Sequence, residues 1–393
     1  MDKKQQRRLN WHRWVWNHID GLIRLLVRLR YGPVDCEPAP PLTGGYIVLP
    51  NHVCGADQFL VAFSFLKRHM YFLVSEHTFR KKLVGHIMQW LAGPISRVKG
   101  SVDASAVMAV LRNLKRGVPV CIFPEGDRSW DGRTAPLHPS TAKLLKVSGV
   151  PIVTYRLEGG YLADPRWCRS LRHGPIHGAV VNVYPPEQIR KLSVQEIDAL
   201  VFHDLYLDAC EDQKKNPKPY PGKKLAEGLE EALFLCPKCG RVGTLRGKGD
   251  VFACPCGLEA RYNVYGLLEG APFDTVAAWS DWQQDQLARW TGREGELFGD
   301  EGAVIRRLNK RHRMRPVARG RVWLDRQGLH LGGMDFPAAR MTGVALCHFS
   351  GCESLMFSFD GGSYELIFHN RASRRKYYIM LLALTQEVGR VNE

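Results

Sequence analysis

The chain has 393 residues, 45% hydrophobic and 24% charged. It is too long for one core and too near average usage to be disordered, collagenous or a disulfide scaffold. Fifty-five Lys and Arg against 39 Asp and Glu leave +16, which points to a polyanionic partner: nucleic acid, an anionic membrane surface, or phosphorylated substrates and cofactors.

No run approaches the ~18 uninterrupted apolar residues of a spanning helix, and the start lacks a signal-peptide pattern. Eleven Cys, four of them in tight pairs, suit metal ligation in a reducing, cytoplasmic setting. Residues 11–30 read as an amphipathic helix. Arg13, Asn17, Asp20, Arg24 and Arg28 form a polar stripe, and Trp11, Trp14, Val15, Ile19, Leu22, Leu26 and Leu29 cover much of the rest. The first thirty residues carry a net +6. Tryptophans and arginines on one such helix suit the headgroup layer of an anionic bilayer. Gly32-Pro33 ends it.

From 44 to 156, short apolar runs alternate with helical patterns. Strands are expected at 45–49, 70–74, 94–98, 118–123 and 151–156, and helices at 57–68, 77–91, 103–115 and 139–148. A helix over 194–211 opens with the capping-box pattern Ser193-x-x-Glu196. Residues 213–224, rich in Pro and Lys, are expected to be an exposed linker. Hairpins are expected within 322–331 and around Asp360-Gly361-Gly362, and a helix at 373–388.

His52 and Asp57 form an H-x4-D pair in the run Asn51–Asp57. A His serves as general base when a carboxylate fixes its tautomer. Five positions apart on a regular helix, the two side chains would diverge by about 140°. They meet only if His52 lies in the turn before a helix and Asp57 in its first turn. His203 and Asp208 have the same spacing, but inside a predicted helix, and are set aside. Gly93-Pro94-Ile95-Ser96-Arg97, Phe123-Pro124-Glu125-Gly126-Asp127-Arg128-Ser129 and Val150-Pro151-Ile152-Val153 follow in order.

Together with His52 and Asp57, these runs resemble the four blocks of the glycerolipid acyltransferase family, typified by 1-acyl-glycerol-3-phosphate acyltransferases, over about 40–190. The resemblance implies an α/β acyltransferase domain in which His52 activates an acceptor hydroxyl and Asp57 orients it. Arg97 and Arg128 would bind the acceptor phosphate, with Lys99 assisting. Glu125 would bond a glycerol oxygen or an Arg, and Gly126 would let ligand approach the backbone. Backbone N–H groups of the 51–57 turn, or side chains of the second block, would stabilise the thioester oxyanion. Asp127 departs from the Thr usual at its position. It would partly neutralise the phosphate site or pair with Arg128.

Cys236-x2-Cys239 and Cys254-x-Cys256 suit a tetrahedral structural zinc in a ribbon-like segment. Eight Lys and Arg between 306 and 321, without an acid, suit lipid headgroups or nucleic acid. The resulting architecture is a membrane-surface helix over 1–33, the acyltransferase domain over 34–212 and a linker over 213–229. A zinc ribbon over 230–262 and a β-rich (α+β) domain over 263–393 with a C-terminal helix follow. Such a protein would be cytoplasmic and peripheral on the inner face of a membrane. It would move an acyl chain from acyl-CoA or acyl carrier protein to lysophosphatidic acid or a related lysophospholipid. The alternative is a non-catalytic scaffold binding nucleic acid or lipid, and nucleic acid is the less favoured partner.

Overall fold

The computed structural model describes residues 3–65, 69–75, 82–97, 104–309, 314–349, 352–368 and 373–391. The chain forms two compact units, the first drawn from 1–97, 103–225 and 263–267, the second from 98–102, 226–262 and 268–393.

The first unit runs α1 (Lys3–Tyr31), β1 (Val34–Cys36), β2 (Ile47–Pro50), α2 (Asp57–Ser64), β3 (Tyr71–Ser75), α3 (Lys82–Leu91), β4 (Ile95–Arg97), α4 (Ala104–Lys115) and β5 (Val120–Cys121). It continues with α5 (Ser140–Ser148), β6 (Ile152–Glu158), α6 (Gly160–Ala163), β7 (Ile176–Tyr184), α7 (Pro186–Lys191), α8 (Val194–Leu205) and α9 (Ala209–Lys215). The sheet order is β1-β7-β6-β2-β5-β3-β4. Only the β6–β7 pairing is antiparallel. Ile47 and Leu49 enter one buried cluster and Val48 the other, so β2 is covered on both faces, as parallel strands are.

The alternation expected between 44 and 156 is present with shifted ends, whereas β1 and β7 were not anticipated. The helix expected over 194–211 is two. Tyr206 leaves the helical conformation, and the Asp208 carboxylate caps α9 by accepting from the Cys210 and Glu211 amides. The Ser193–Glu196 capping box forms with both reciprocal bonds. In the expected linker, Gln213 and Tyr220 are buried. The Tyr220 hydroxyl donates to the Pro175 carbonyl at 2.7 Å.

Helix α1 is two-sided in an unexpected sense. Leu9, His12, Val15, Val27 and Tyr31 are buried. The polar stripe also turns partly inward: Arg24 pairs with Asp20 at 2.8 Å, donates to the Phe63 carbonyl at 2.8 Å and lies over the Phe63 ring. Trp14, Leu22, Leu25, Leu26 and Leu29 are left exposed, each by more than half. No helix among the described residues is long and apolar enough to cross a membrane.

The second unit contains an antiparallel sheet of β8 (Arg246–Lys248), β9 (Val251–Cys254), β10 (Leu258–Tyr262) and β11 (Leu268–Glu269), in the order β11-β10-β9-β8. After α10 (Val276–Ala288) come β12 (Phe298–Leu308), β13 (Met314–Leu324), β14 (Gly328–Leu331), β15 (Met334–Pro337), β16 (Thr342–Phe349), β17 (Cys352–Phe359) and β18 (Gly362–Phe368). They form an antiparallel sheet in the order β15-β14-β13-β12-β18-β17-β16, and α11 (Arg374–Val391) packs on β16 and β17. Both expected hairpins are present. Of the basic run, Arg306, Arg307, Arg315, Arg319 and Arg321 lie on β12 and β13, whereas Lys310, Arg311 and Arg313 fall outside the described residues. Arg307 sits directly across from Arg315.

Candidate active site

Asp57 opens α2 with its carboxylate fully buried. The preceding turn wraps it: Val53 N–H donates at 2.7 Å, Cys54 N–H at 3.0 Å and the Cys54 thiol at 2.9 Å. His52 completes the set, its Nδ1 at 2.7 Å from Asp57 Oδ2. This is the non-helical geometry the five-residue spacing demands. A carboxylate only accepts, so Nδ1 carries the hydrogen and Nε2 keeps its lone pair. The imidazole stacks on Phe123 at 4.3 Å and remains 23% exposed. Cys54 is an inert neighbour, since burial and the nearby Asp57 push its thiol well above the ordinary range.

The His52 backbone is fixed from both sides. Its N–H donates to Glu125 at 2.6 Å, and its carbonyl accepts from Ser129 N–H at 2.9 Å. Glu125 also accepts from Ala135 N–H at 2.7 Å. It thereby ties the His52 turn to the loop after β5, and no arginine pairs with it among the described residues. Burial pushes its carboxyl up to about 8 against the opposing pull of the two amides. Asn51 adds a two-way bond to the Leu157 backbone, at 2.9 and 2.7 Å.

The cations sit around this core. Arg128 reaches Asp164 at 3.2 Å, and the same Asp164 oxygen accepts from Gly55 N–H at 2.9 Å and the Tyr31 hydroxyl at 3.2 Å. Asp127 pairs with the buried Arg166 at 2.6 Å rather than with Arg128, and Arg166 lies over Trp130. Arg97 meets His138 Nε2 at 2.8 Å, and His138 N–H donates to the Pro124 carbonyl, which joins the second block to the third. Lys99 lies outside the described residues.

Gly126 adopts φ +72° with open space where a Cβ would stand. The glycine serves the turn and leaves the space beside it open. Gly93, at φ +61°, does serve a close approach, because a Cβ there would lie 2.5 Å from His12 Cε1.

The oxyanion donors expected from the 51–57 turn are largely committed. The consecutive amides of His52, Val53, Cys54 and Gly55 all donate to carboxylates. Sequence reasoning missed Asp164, Arg166 and His138. Asp164 is 109 residues from Gly55, and no spacing rule reaches that far.

In the second unit the ligand atoms of Cys236, Cys239, Cys254 and Cys256 all lie within 4.8 Å of one another. Cys236 and Cys256 sulfurs are 3.6 Å apart, and Cys239 and Cys254 sulfurs 3.8 Å. Tetrahedral zinc with ~2.3 Å Zn–S bonds requires sulfurs about 3.8 Å apart, so the donor set fits that metal.

The Acyltransferase family model matches residues 34–158, a span that holds every block described here. The described residues of the matched span lie within the first unit. Over 116 residues the chain is 33% identical to a 1-acyl-sn-glycerol-3-phosphate acyltransferase of Limnanthes alba, covering 27% of this chain and 40% of that protein. A protein of the same name from Cocos nucifera is 25% identical over 206 residues, covering 51% of this chain and 65% of the relative. The chain thus spans about two fifths of the length of the first relatives it matches. A solved 1-acyl-sn-glycerophosphate acyltransferase of Thermotoga maritima aligns with TM-score 0.40 and 21% identity, over 52% of this chain and 83% of that one.

Proposed function

We propose that the protein is an O-acyltransferase that moves a fatty acyl group from a thioester donor to the hydroxyl of lysophosphatidic acid or a related lysophospholipid. The carrying observation is the 2.7 Å bond between His52 Nδ1 and a fully buried Asp57, which leaves Nε2 as the base. Nε2 removes the acceptor hydroxyl proton as that oxygen forms its bond to the thioester carbon. The tetrahedral adduct collapses, the carbon–sulfur bond breaks, and the imidazolium returns its proton to the leaving thiolate. Arg128 and Arg97 supply the guanidinium forks for the acceptor phosphate. With the turn amides engaged by carboxylates, the second-block side chains remain to meet the oxyanion. The names of the relatives support this acceptor class. Release of free thiol from long-chain acyl-CoA with a lysolipid panel tests the reading. A folded His52→Ala protein that still turns over would overturn it.

The exposed Trp14 and the leucines at 22, 25, 26 and 29 on an arginine-bearing helix support seating on an anionic membrane surface, inner face and cytoplasmic. Acyl-CoA and acyl carrier protein are the two donors to compare. The four-cysteine cluster would hold a zinc that organises its small sheet and takes no part in transfer.

A further inference from the structure

The arginine-rich run between 306 and 321 belongs to the second unit, and its described charges divide into two groups. No acid lies between Glu301 and Asp325. Arg306 reaches Glu365 at 3.7 Å, and Arg321 reaches Glu296 at 2.5 Å and Glu301 at 3.6 Å. Arg307 and Arg315 are exposed and have no carboxylate partner among the described residues. They stand directly opposite each other on β12 and β13, and Tyr364 of β18 stands opposite Arg307 on the other side. Residues paired in this way share a face of the sheet, with Cβ atoms about 5 Å apart. Two guanidinium forks at that spacing suit a single phosphate gripped from both sides. Local packing steadies Arg307, whose guanidinium lies 5.6 Å from the centroid of the buried Tyr364 ring. Gly362 leaves it room, since a Cβ there would lie 3.0 Å from Arg307 Nε. Asp360, two residues earlier, is taken by Arg340 at 2.5 and 2.6 Å.

Like charges directly opposite each other cost stability, and protection of a sheet edge accounts for only one of these two. Strand β13 pairs with β14 only from Val322 to Leu324, which leaves its earlier residues at an edge. Pro316 and a bulge at Val317 already guard that edge. Arg307 lies on β12, between β13 and β18, where there is no edge to guard. We infer that Arg307 and Arg315 form a phosphate-headgroup site through which the second unit docks on an anionic bilayer. Charge complementarity sets the sign of the partner, and two observations set its kind. Val317, between Arg315 and Arg319, is 45% exposed, and an apolar residue flanked by cations suits the headgroup layer. The ribbon of β12 and β13 offers bases no open aromatic platform. Phe298 is buried, and Trp323 already stacks on His330 at 3.8 Å.

The test is sedimentation of the full chain with phosphatidylglycerol vesicles, and with neutral phosphatidylcholine vesicles as control, for the wild type and Arg315→Glu. Helix α1 is the same in both proteins, so a difference reports the ribbon, and the readout does not depend on acyl transfer. Arg315→Glu sets opposite charges across the ladder, so the unfolding temperature is expected to hold or rise. Each cation near an anionic surface contributes about five-fold to binding. With Arg315 gone and Arg307 engaged by the new carboxylate, affinity for phosphatidylglycerol is expected to fall about ten-fold or more. Arg315→Lys keeps the charge and is expected to bind close to wild type. If Arg315→Glu folds poorly by circular dichroism, Arg315→Gln, which only removes charge, takes its place with an expected fall of about five-fold. Equal binding of wild type and variant to phosphatidylglycerol overturns the inference, as does wild-type binding that is indifferent to vesicle charge. A variant that keeps its vesicle affinity but loses affinity for a single-stranded oligonucleotide also overturns it, and assigns the ribbon to nucleic acid.

Discussion

Glu125 receives the backbone N–H of His52 at 2.6 Å, so the carboxyl of the third block holds up the base of the first. With its carboxyl at about 8 against an ordinary 4.5, the folded protein keeps a proton that the unfolded chain has lost in between. The contribution of Glu125 to stability is therefore greatest below about 4.5, declines as pH rises, and levels off above about 8. Glu125→Gln removes that slope and sets an amide NH2 against a backbone N–H, at a cost of about 1–3 kcal/mol. Thermal unfolding of both proteins from pH 5 to 9 should show the gap narrowing as pH rises. A widening gap would refute this assignment.

Asp57→Asn keeps the size of the side chain but offers an NH2 where donors converge. The imidazole loses the partner that fixes its tautomer, and kcat is expected to fall by about 10³–10⁴-fold, as in other carboxylate–imidazole pairs. Acceptor KM should change far less. Steady-state kinetics with saturating donor separates the two, and a change confined to KM would contradict the assigned role.

Asp127→Ala takes the 2.6 Å carboxylate partner from Arg166, whose side chain is only 1% exposed. Loss of one partner of a buried pair costs about 3–5 kcal/mol, but Asp127 is 34% exposed, so about 1–3 kcal/mol is expected after screening. Adding Arg166→Met removes the buried charge and should restore part of the loss. Denaturant unfolding of the single and double variants measures this coupling directly.

One zinc per chain is expected on purification without chelator. Cys236→Ser or Cys254→Ser should lose it and lower the unfolding temperature of the second unit, because metal binding and folding are linked there. Metal analysis alongside calorimetry checks both. A metal-free protein with unchanged unfolding would remove the metal from the account.

His52 and Asp57 were legible because the runs at 93–97, 123–129 and 150–153 follow them in order; the spacing alone does not single them out, since His203 and Asp208 share it. The cysteine pairs were legible on their own, since each half-site is complete within a few residues. Glu125 was not. A motif names a residue type, and only the fold decides whether that carboxylate faces ligand or backbone. Strand β1 is three residues long and gains its identity by pairing with β7, more than a hundred residues later. Asp127 looked like a neighbour of Arg128 because the two adjoin in sequence, yet Arg166 claims it from far along the chain. Contacts made across long loops leave no periodic trace.

Tyr31, the last residue of α1, hands its hydroxyl to the same oxygen of Asp164 that grips Gly55 and Arg128. Clipping the chain ahead of Pro33 would therefore do more than strip away an outer greasy ridge. It would unpin one corner of a four-way knot, leaving Asp164 to brace the reactive bend and its guanidinium without that tie.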